Sequence, residues 1–236
     1  MNDHTGEQLD EEGNPVKVAN LNFIEGVLGK GAYGSVSLFA HKKPMSKLSQ
    51  VDREDIAYKS FFPTGAHKGL DYTILRELSF YGYLASQGGF PSIPRVTHVV
   101  WGDRKIGFGM TASGNGMSTH SLSDLDSIDK TLLASQLIET LYFLTTSIGV
   151  MQRDIKSANL VWDEDKSKLS IVDWGISRFL TKEGSPRKNT LSPLVQTLPY
   201  RAPELLLGQE TYTSKIEVWS LGILLLELWS GGLSVS

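Results

Sequence analysis

The stretch Gln152-Arg153-Asp154-Ile155-Lys156-Ser157-Ala158-Asn159 restricts this chain more than any other. A short predicted strand pair further on stands Asp173-Trp174-Gly175. An Asp, a Lys two residues on, an Asn five on and a second Asp before a Gly form a set for positioning a hydroxyl beside a metal-bound triphosphate. Each residue alone is ordinary; their order is what points to the chemistry.

The chain has room to build around that set. Its 236 residues, 40% hydrophobic and 9% aromatic, suffice for one large domain or two small lobes with a sizeable core. Twenty-three Lys and Arg against 26 Asp and Glu leave a net charge of -3, so no overall basic field draws it to nucleic acid or an anionic membrane. With no cysteine there is no disulfide and no thiolate metal site, which fits a reducing compartment. The start carries Asp3, Glu7, Asp10, Glu11 and Glu12 and no apolar run, unlike a signal peptide. The longest apolar run, Leu221 to Trp229, contains Glu227 and is too short to span a bilayer. The expectation is a soluble, cytoplasmic or nuclear protein.

Residues 1–20 are polar, acidic and aperiodic and read as a disordered lead-in. Phe23 to Leu28 and Ser35 to Phe39 read as strands around a glycine-rich turn, and Asp55 to Phe62 as a third. A helix follows with apolar positions Ile74, Leu75, Leu78, Tyr81 and Ala85, which sets Leu78 and Tyr81 beside Glu77. Val96 to Trp101 and Lys105 to Met110 are strand-like, and Thr111 to Ser118 is a linker. Apolar positions 133, 137, 141, 144 and 148 predict a long helix stopping at Gly149. Strands are expected at Asn159 to Trp162 and Leu169 to Val172. The helix from Ser214 to Trp229 is apolar all round, as for a helix running through a core.

Gly29-Lys30-Gly31-Ala32-Tyr33-Gly34-Ser35-Val36 fits G-x-G-x-x-G-x-V, in which glycines let backbone amides approach phosphate oxygens. A dinucleotide-binding motif would need a helix next, whereas Val36 to Phe39 alternates like a strand. The motif reads as a flap over phosphates, with a plain glycine-rich hairpin turn as the alternative.

From Phe23 to about Trp229 these elements, in this order, resemble a eukaryotic protein kinase domain of the Ser/Thr type. The resemblance implies an α+β, bilobal fold. Residues 21–112 would be a small β-rich N-lobe with one helix, and residues 113–236 a mainly helical C-lobe lacking its last helices. It also implies ATP and Mg²⁺. ATP would lie against Gly29, Lys30, Gly31, Ala32, Gly34, Val36, Ala57 and Lys59, with Lys59 holding the α and β phosphates and Glu77 pairing with it. Asp154 would take or orient the substrate hydroxyl proton, Lys156 would stabilise the transferring group, and Asn159 and Asp173 would hold metal. Phe108 is the choice for the residue limiting the adenine pocket.

Thr197-Leu198-Pro199-Tyr200-Arg201-Ala202-Pro203-Glu204 is similar to the cyclin-dependent and MAP kinase (CMGC) group, as is Thr73-Ile74-Leu75-Arg76-Glu77-Leu78 to the group's cyclin-binding helix. The likeness implies that Thr197 bonds to Asp154 and Lys156. It also implies that Ser192, or failing it Thr190, is a regulatory phosphosite gathered by Arg76, Arg153 and Arg178. The partners implied are a Ser/Thr-containing protein substrate, a cyclin-like activator and an upstream kinase, with neither nucleic acid nor membrane. Three residues depart from the pattern: Gln152 replaces the loop His, Trp174 the Phe of Asp-Phe-Gly, and Glu217 the Asp of the helix starting near Ser214. The family's Arg that pairs with Glu204 is missing with the last helices, and the chain alone is expected to be poorly stable. The reaction expected is γ-phosphoryl transfer to Ser or Thr; the alternative is a pseudokinase, binding nucleotide or a partner without catalysis.

Overall fold

Strand-forming residues on either side of the glycine-rich turn pair as expected and seed the larger of the sheets. The structure, a computed structural model, describes residues 7–9, 15–17, 21–30, 34–41, 56–61, 72–102, 105–111, 115–116, 119–180 and 195–231. The chain divides into two units, Met1–Ile74 with Pro94–Ser113 and Leu75–Ile93 with Gly114–Ser236.

In the first unit, β1 (Glu7–Leu9), β2 (Pro15–Lys17), β3 (Leu21–Lys30), β4 (Gly34–His41), β5 (Ile56–Phe61), β6 (Val96–Gly102) and β7 (Lys105–Thr111) form one sheet in the order β2-β1-β6-β7-β5-β4-β3. Two strands thus lie inside the segment expected to be a disordered lead-in: β1 pairs with β6, Gln8 opposite Val100. Along β3 the register slips three times against β4, giving β3 extra residues and an added twist where it approaches the glycines. Across β5, Val36 faces Lys59, Lys59 faces Phe108 and Ala57 faces Met110. Phe108 and Met110 are buried. The intervening Gly107 and Gly109 leave the strand's other face bare: a Cβ on Gly109 would sit 2.1 Å from the His98 ring, and one on Gly107 2.5 Å from the Tyr58 hydroxyl. Only glycine lets those two rings stack so close to the backbone.

Helix α1 (Tyr72–Ser86) enters the second unit at Leu75. Its buried positions are Ile74, Glu77, Phe80, Tyr81 and Leu84, whereas Leu75 and Ala85, expected on the apolar face, are exposed. The second unit continues with β8 (Asn115–Gly116), α2 (Thr119–Asp124) and α3 (Ser127–Tyr142). Asp126 caps α3 by accepting from the Ile128 and Asp129 amides, both at 2.8 Å. Leu133, Leu137, Leu141 and Leu144 point into the core as their spacing predicts. The helix loosens into a π-type turn over Phe143–Ile148 and stops at Gly149, whose φ of 72° is the left-handed conformation that ends helices.

After β9 (Val150–Met151) comes the loop of the opening motif, then β10 (Leu160–Asp163), β11 (Lys168–Ile171) and β12 (Arg178–Phe179). β11, β10 and β8 make one small sheet, β12 and β9 another. Pro203 opens the short helix α4 (Pro203–Leu206), where its missing N–H costs nothing. Helix α5 (Lys215–Ser230) follows. It is not buried all round: Ile216, Glu217, Ser220, Leu224, Glu227 and Leu228 face inward, while Val218, Leu226 and Trp229 are exposed. The buried stripe therefore carries three polar residues. Among the described residues no helix is long and apolar enough to cross a membrane.

Candidate active site

Glu217, on the first turn of α5, reaches up to the loop that follows β9 and takes two of its amides. The Gln152 N–H donates to Oε2 at 3.1 Å and the Arg153 N–H to Oε1 at 2.8 Å. Burial pushes the Glu217 carboxyl up to about 7, with the nearby Asp154 charge adding to it, although the two amides and the Arg153 charge pull the other way. Arg153 itself has φ 68°, a left-handed conformation that a non-glycine residue keeps only where its surroundings impose it. They do so here: its Nε–H donates to the Ile176 carbonyl at 2.7 Å and its Nη1–H to the Tyr212 hydroxyl at 2.7 Å.

This turn presents Asp154. Its Oδ1 accepts from the Thr197 hydroxyl at 2.7 Å and the Thr197 amide at 3.1 Å. Its Oδ2 lies 2.7 Å from the Lys156 ammonium and accepts from Asn159 Nδ2 at 3.2 Å. Lys156 also donates to Thr197 Oγ1 at 2.9 Å, and Asn159 Nδ2 to the Asp154 carbonyl at 2.8 Å. Asp154, Lys156, Asn159 and Thr197, predicted from sequence as one group, are thus in direct contact. Four donors occupy the roughly four lone-pair directions of one carboxylate, so a further hydroxyl can bond to Asp154 only by displacing one of them.

Asp173 follows at one remove. The Val172 amide donates to the Asn159 carbonyl at 3.0 Å, which ties the segment before Asp173 to the loop. Asp173 has φ 62° and an exposed side chain, and its carbonyl accepts from Gln152 Nε2 at 3.3 Å; the Val172 carbonyl accepts from the same nitrogen at 2.9 Å. Gln152 thereby uses both amide hydrogens, while its buried Oε1 finds no partner among the described residues. Trp174 is fully buried, stacks on Phe80 at 4.1 Å and donates its indole N–H to the Ile171 carbonyl at 3.0 Å, a bond no Phe could make. Its backbone N–H donates to Glu77 Oε1 at 3.3 Å. Burial first, and then the Glu77 and Asp173 charges, hold the Tyr81 phenol well above its ordinary range, so it stays neutral. The oxygens of Asp173 and Asn159 suit Mg²⁺, which prefers hard oxygen ligands and keeps several waters. With its Nδ2 donating to Asp154, Asn159 keeps its Oδ1 for such a role. No group of three or more acidic, His or Cys side chains that could hold a metal ion occurs among the described residues.

Arg76, Arg153 and Arg178 also come together. Burial lowers the Arg178 pKa, and the positive charges of Arg76 and Arg153 lower it further. Arg76 Nη1–H donates to the Gly175 carbonyl at 2.9 Å. Ser192 and Thr190 lie outside the described residues, as do Gly31 and Ala32. Gly29, Lys30, Gly34, Val36, Ala57 and Lys59 belong to the sheet of the first unit, where the Lys59 ammonium lies 5.6 Å from the centre of the Phe61 ring.

Several residues that sequence reasoning passed over hold the site. Tyr200 OH donates to Glu227 Oε2, Ser157 Oγ–H to Glu227 Oε1 at 3.2 Å, and Ser220 Oγ–H to the Tyr200 carbonyl at 2.8 Å. Burial and the bond to Glu227 push the Tyr200 phenol up to about 12. Glu217, Ser220 and Glu227 are three and seven residues apart, one face of a helix, so polar residues recurring at helical spacing in an apolar run were the available signal.

The protein kinase domain family matches residues 23–236. The probable CTD kinase subunit alpha homolog of Encephalitozoon cuniculi (strain GB-M1) is 30% identical over 87% of this chain and 56% of its own length. Cyclin-dependent kinase G-1 of Oryza sativa subsp. indica is 34% identical over 87% of this chain and 28% of its own length. For mitogen-activated protein kinase 15 of Caenorhabditis elegans the values are 28%, 86% and 42%. The chain thus spans about half the length of these relatives, or less. With a match over nearly all of its length, this chain belongs to the protein kinase domain family.

Proposed function

We propose that the chain transfers the γ-phosphoryl group of ATP to Ser or Thr hydroxyls of proteins, with Asp154 as the group that orients the acceptor. The observation that carries this reading is the Asp154–Lys156–Asn159–Thr197 cluster, in which a carboxylate, an ammonium and an amide converge at hydrogen-bond distance. Mg²⁺, held by Asp173 and Asn159, would neutralise phosphate charge. Lys156 is the donor an arriving triphosphate would draw away from Asp154, which frees Oδ2 for the acceptor hydroxyl just as the phosphate acquires a cation. Thr197 keeps its two bonds to Oδ1 and holds the carboxylate in place. In this reading Lys59, under the glycine flap, binds the α and β phosphates and pairs with Glu77, while Phe108 opposite Lys59 bounds the adenine pocket.

Regulation follows from the arginines. Three mutually repelling guanidinium groups favour an anion, and a phosphate on Ser192, or else Thr190, brings about -1.5 to -2 charges to meet them. An upstream kinase would supply it. A cyclin-like activator is supported by the outward side of α1, where Leu75 and Tyr83 are exposed and Tyr83 meets the equally exposed Phe179 edge-on at 5.1 Å. The cytoplasm or nucleus is proposed as the compartment, in keeping with a chain that carries no cysteine.

The test is radiolabelled phosphotransfer to a generic Ser/Thr-containing protein, comparing the wild type with Asp154→Asn. A positioned acid–base group contributes about 10²- to 10⁴-fold, and a loss of that size is expected. Equal rates would refute the catalytic reading and leave the pseudokinase as the alternative.

A further inference from the structure

Of the four described non-glycine residues with left-handed φ, three are Arg153, Asp173 and Gln196. The first two belong to motifs already discussed; Gln196 does not. It stands immediately before Thr197, is buried, and has φ 65°. An L residue holds that conformation only when its surroundings over-determine it, and here its own side chain does much of the holding. Nε2 donates one hydrogen to the Ile216 carbonyl at 3.0 Å and the other to Ser220 Oγ at 2.8 Å. Oε1 accepts the Ala202 amide at 2.8 Å. The Gln196 carbonyl is taken by Arg201, Nη2–H at 2.9 Å and Nε–H at 3.3 Å. One amide thus joins three pieces of chain: helix α5, the turn before Thr197 and the start of α4. A carboxylate of the same length could not donate to Ile216, and Asn would fall one methylene short.

We infer that Gln196 is a positioning residue, whose side-chain amide clamps the turn before Thr197 to helix α5 and so sets where Thr197 holds the Asp154 carboxylate. Thr197 gives Asp154 both its hydroxyl and its amide hydrogen, and an amide is moved by rotating the residue before it. The clamp therefore acts on the reacting carboxylate through one peptide unit. This inference rests on the kinase reading of the site.

Two variants test it. Gln196→Gly removes the clamp but also the backbone strain, so the fold gains conformational ease where it loses bonds. Gln196→Glu keeps the size and the acceptor and turns the two donated hydrogens into oxygen facing the Ile216 carbonyl. In both, kcat/KM for the protein acceptor should fall about tenfold to a hundredfold, the scale of a misplaced reacting group, while KM for ATP stays within about twofold. Exchange of the Thr197 amide hydrogen, followed by mass spectrometry or NMR, should quicken about tenfold or more, as expected when a protecting contact opens more often. Unchanged Thr197 exchange in both variants overturns the inference whatever the rates do. Faster exchange with acceptor kcat/KM unaltered also overturns it, as does a parallel rise in KM for ATP, which would mark general loosening. Should the wild type transfer no more phosphate than Asp154→Asn, the kinase reading fails by itself, and Thr197 exchange still decides whether Gln196 is the clamp.

Discussion

Glu217 couples stability and activity to pH in opposite directions. Its carboxyl is 2% exposed and ionises near 7 in the folded protein against an ordinary value of 4.5. The folded state therefore binds a proton more tightly than the unfolded chain. Stability from this group is fully present below about pH 4.5 and is lost as pH rises through about 7, after which it levels off. At 1.36 kcal/mol per pH unit, the interval from 4.5 to about 7 corresponds to roughly 3 kcal/mol, a large share of a typical 5–15 kcal/mol. The ionised form is nonetheless the one whose two oxygens accept the Gln152 and Arg153 amides, so phosphotransfer should rise over the interval in which stability falls. Glu217→Gln separates these effects. It removes the titration but turns an NH₂ toward one of the two amides, leaving a buried donor unmet at a cost of about 1–3 kcal/mol. Urea unfolding followed by circular dichroism at pH 5, 6, 7 and 8 should show wild-type stability falling relative to the variant, with most of the change between 5 and 7. The variant should transfer phosphate more slowly and lack the wild type's rise near pH 7. Parallel stability profiles for the two proteins would refute the assignment of this titration to Glu217.

Two further outcomes are expected. Trp174→Phe keeps a ring against Phe80 but loses the indole bond to the Ile171 carbonyl and some buried volume; a loss of about 1–3 kcal/mol should lower Tm by at least about 2 °C, and an unchanged Tm would show that the indole N–H contributes nothing. Ser192→Ala should reduce phosphotransfer and make it insensitive to phosphatase, which lowers wild-type activity; if both treatments leave activity unchanged, Ser192 is not the switch and Thr190 is the next position to substitute.

The Asp154 cluster was legible because its members lie close in sequence or in a known order. Asp154, Lys156 and Asn159 share one loop, and a loop of eight residues can bring its own side chains together without help from afar. The phase of α1 was less legible. With Phe80, Tyr81 and Leu84 all apolar, spacing admits more than one buried face, and only the stack of Phe80 on Trp174 and the bond from the Trp174 amide to Glu77 select the one observed. The strands at 7–9 and 15–17 escaped notice for a related reason: β1 is completed by Val100, some ninety residues on, and a strand of three residues, Glu7-Gln8-Leu9, is too short to carry a periodic signal of its own.

Residue order by itself determined the family, the glycine motif, the longer strands and helices and the loop that carries Asp154, because these depend on local spacing and backbone preference. Beyond Glu217, which stands where the family has the helix residue that ties this loop down, the tertiary structure alone decided what holds it. Glu217, Ser220 and Glu227 line one face of α5 and meet Gln152, Arg153, Gln196, Ser157 and Tyr200, residues 20 to 70 positions away. A buried polar group must find its hydrogen-bond partner wherever the fold supplies one, and that partner's identity is a property of the packed chain.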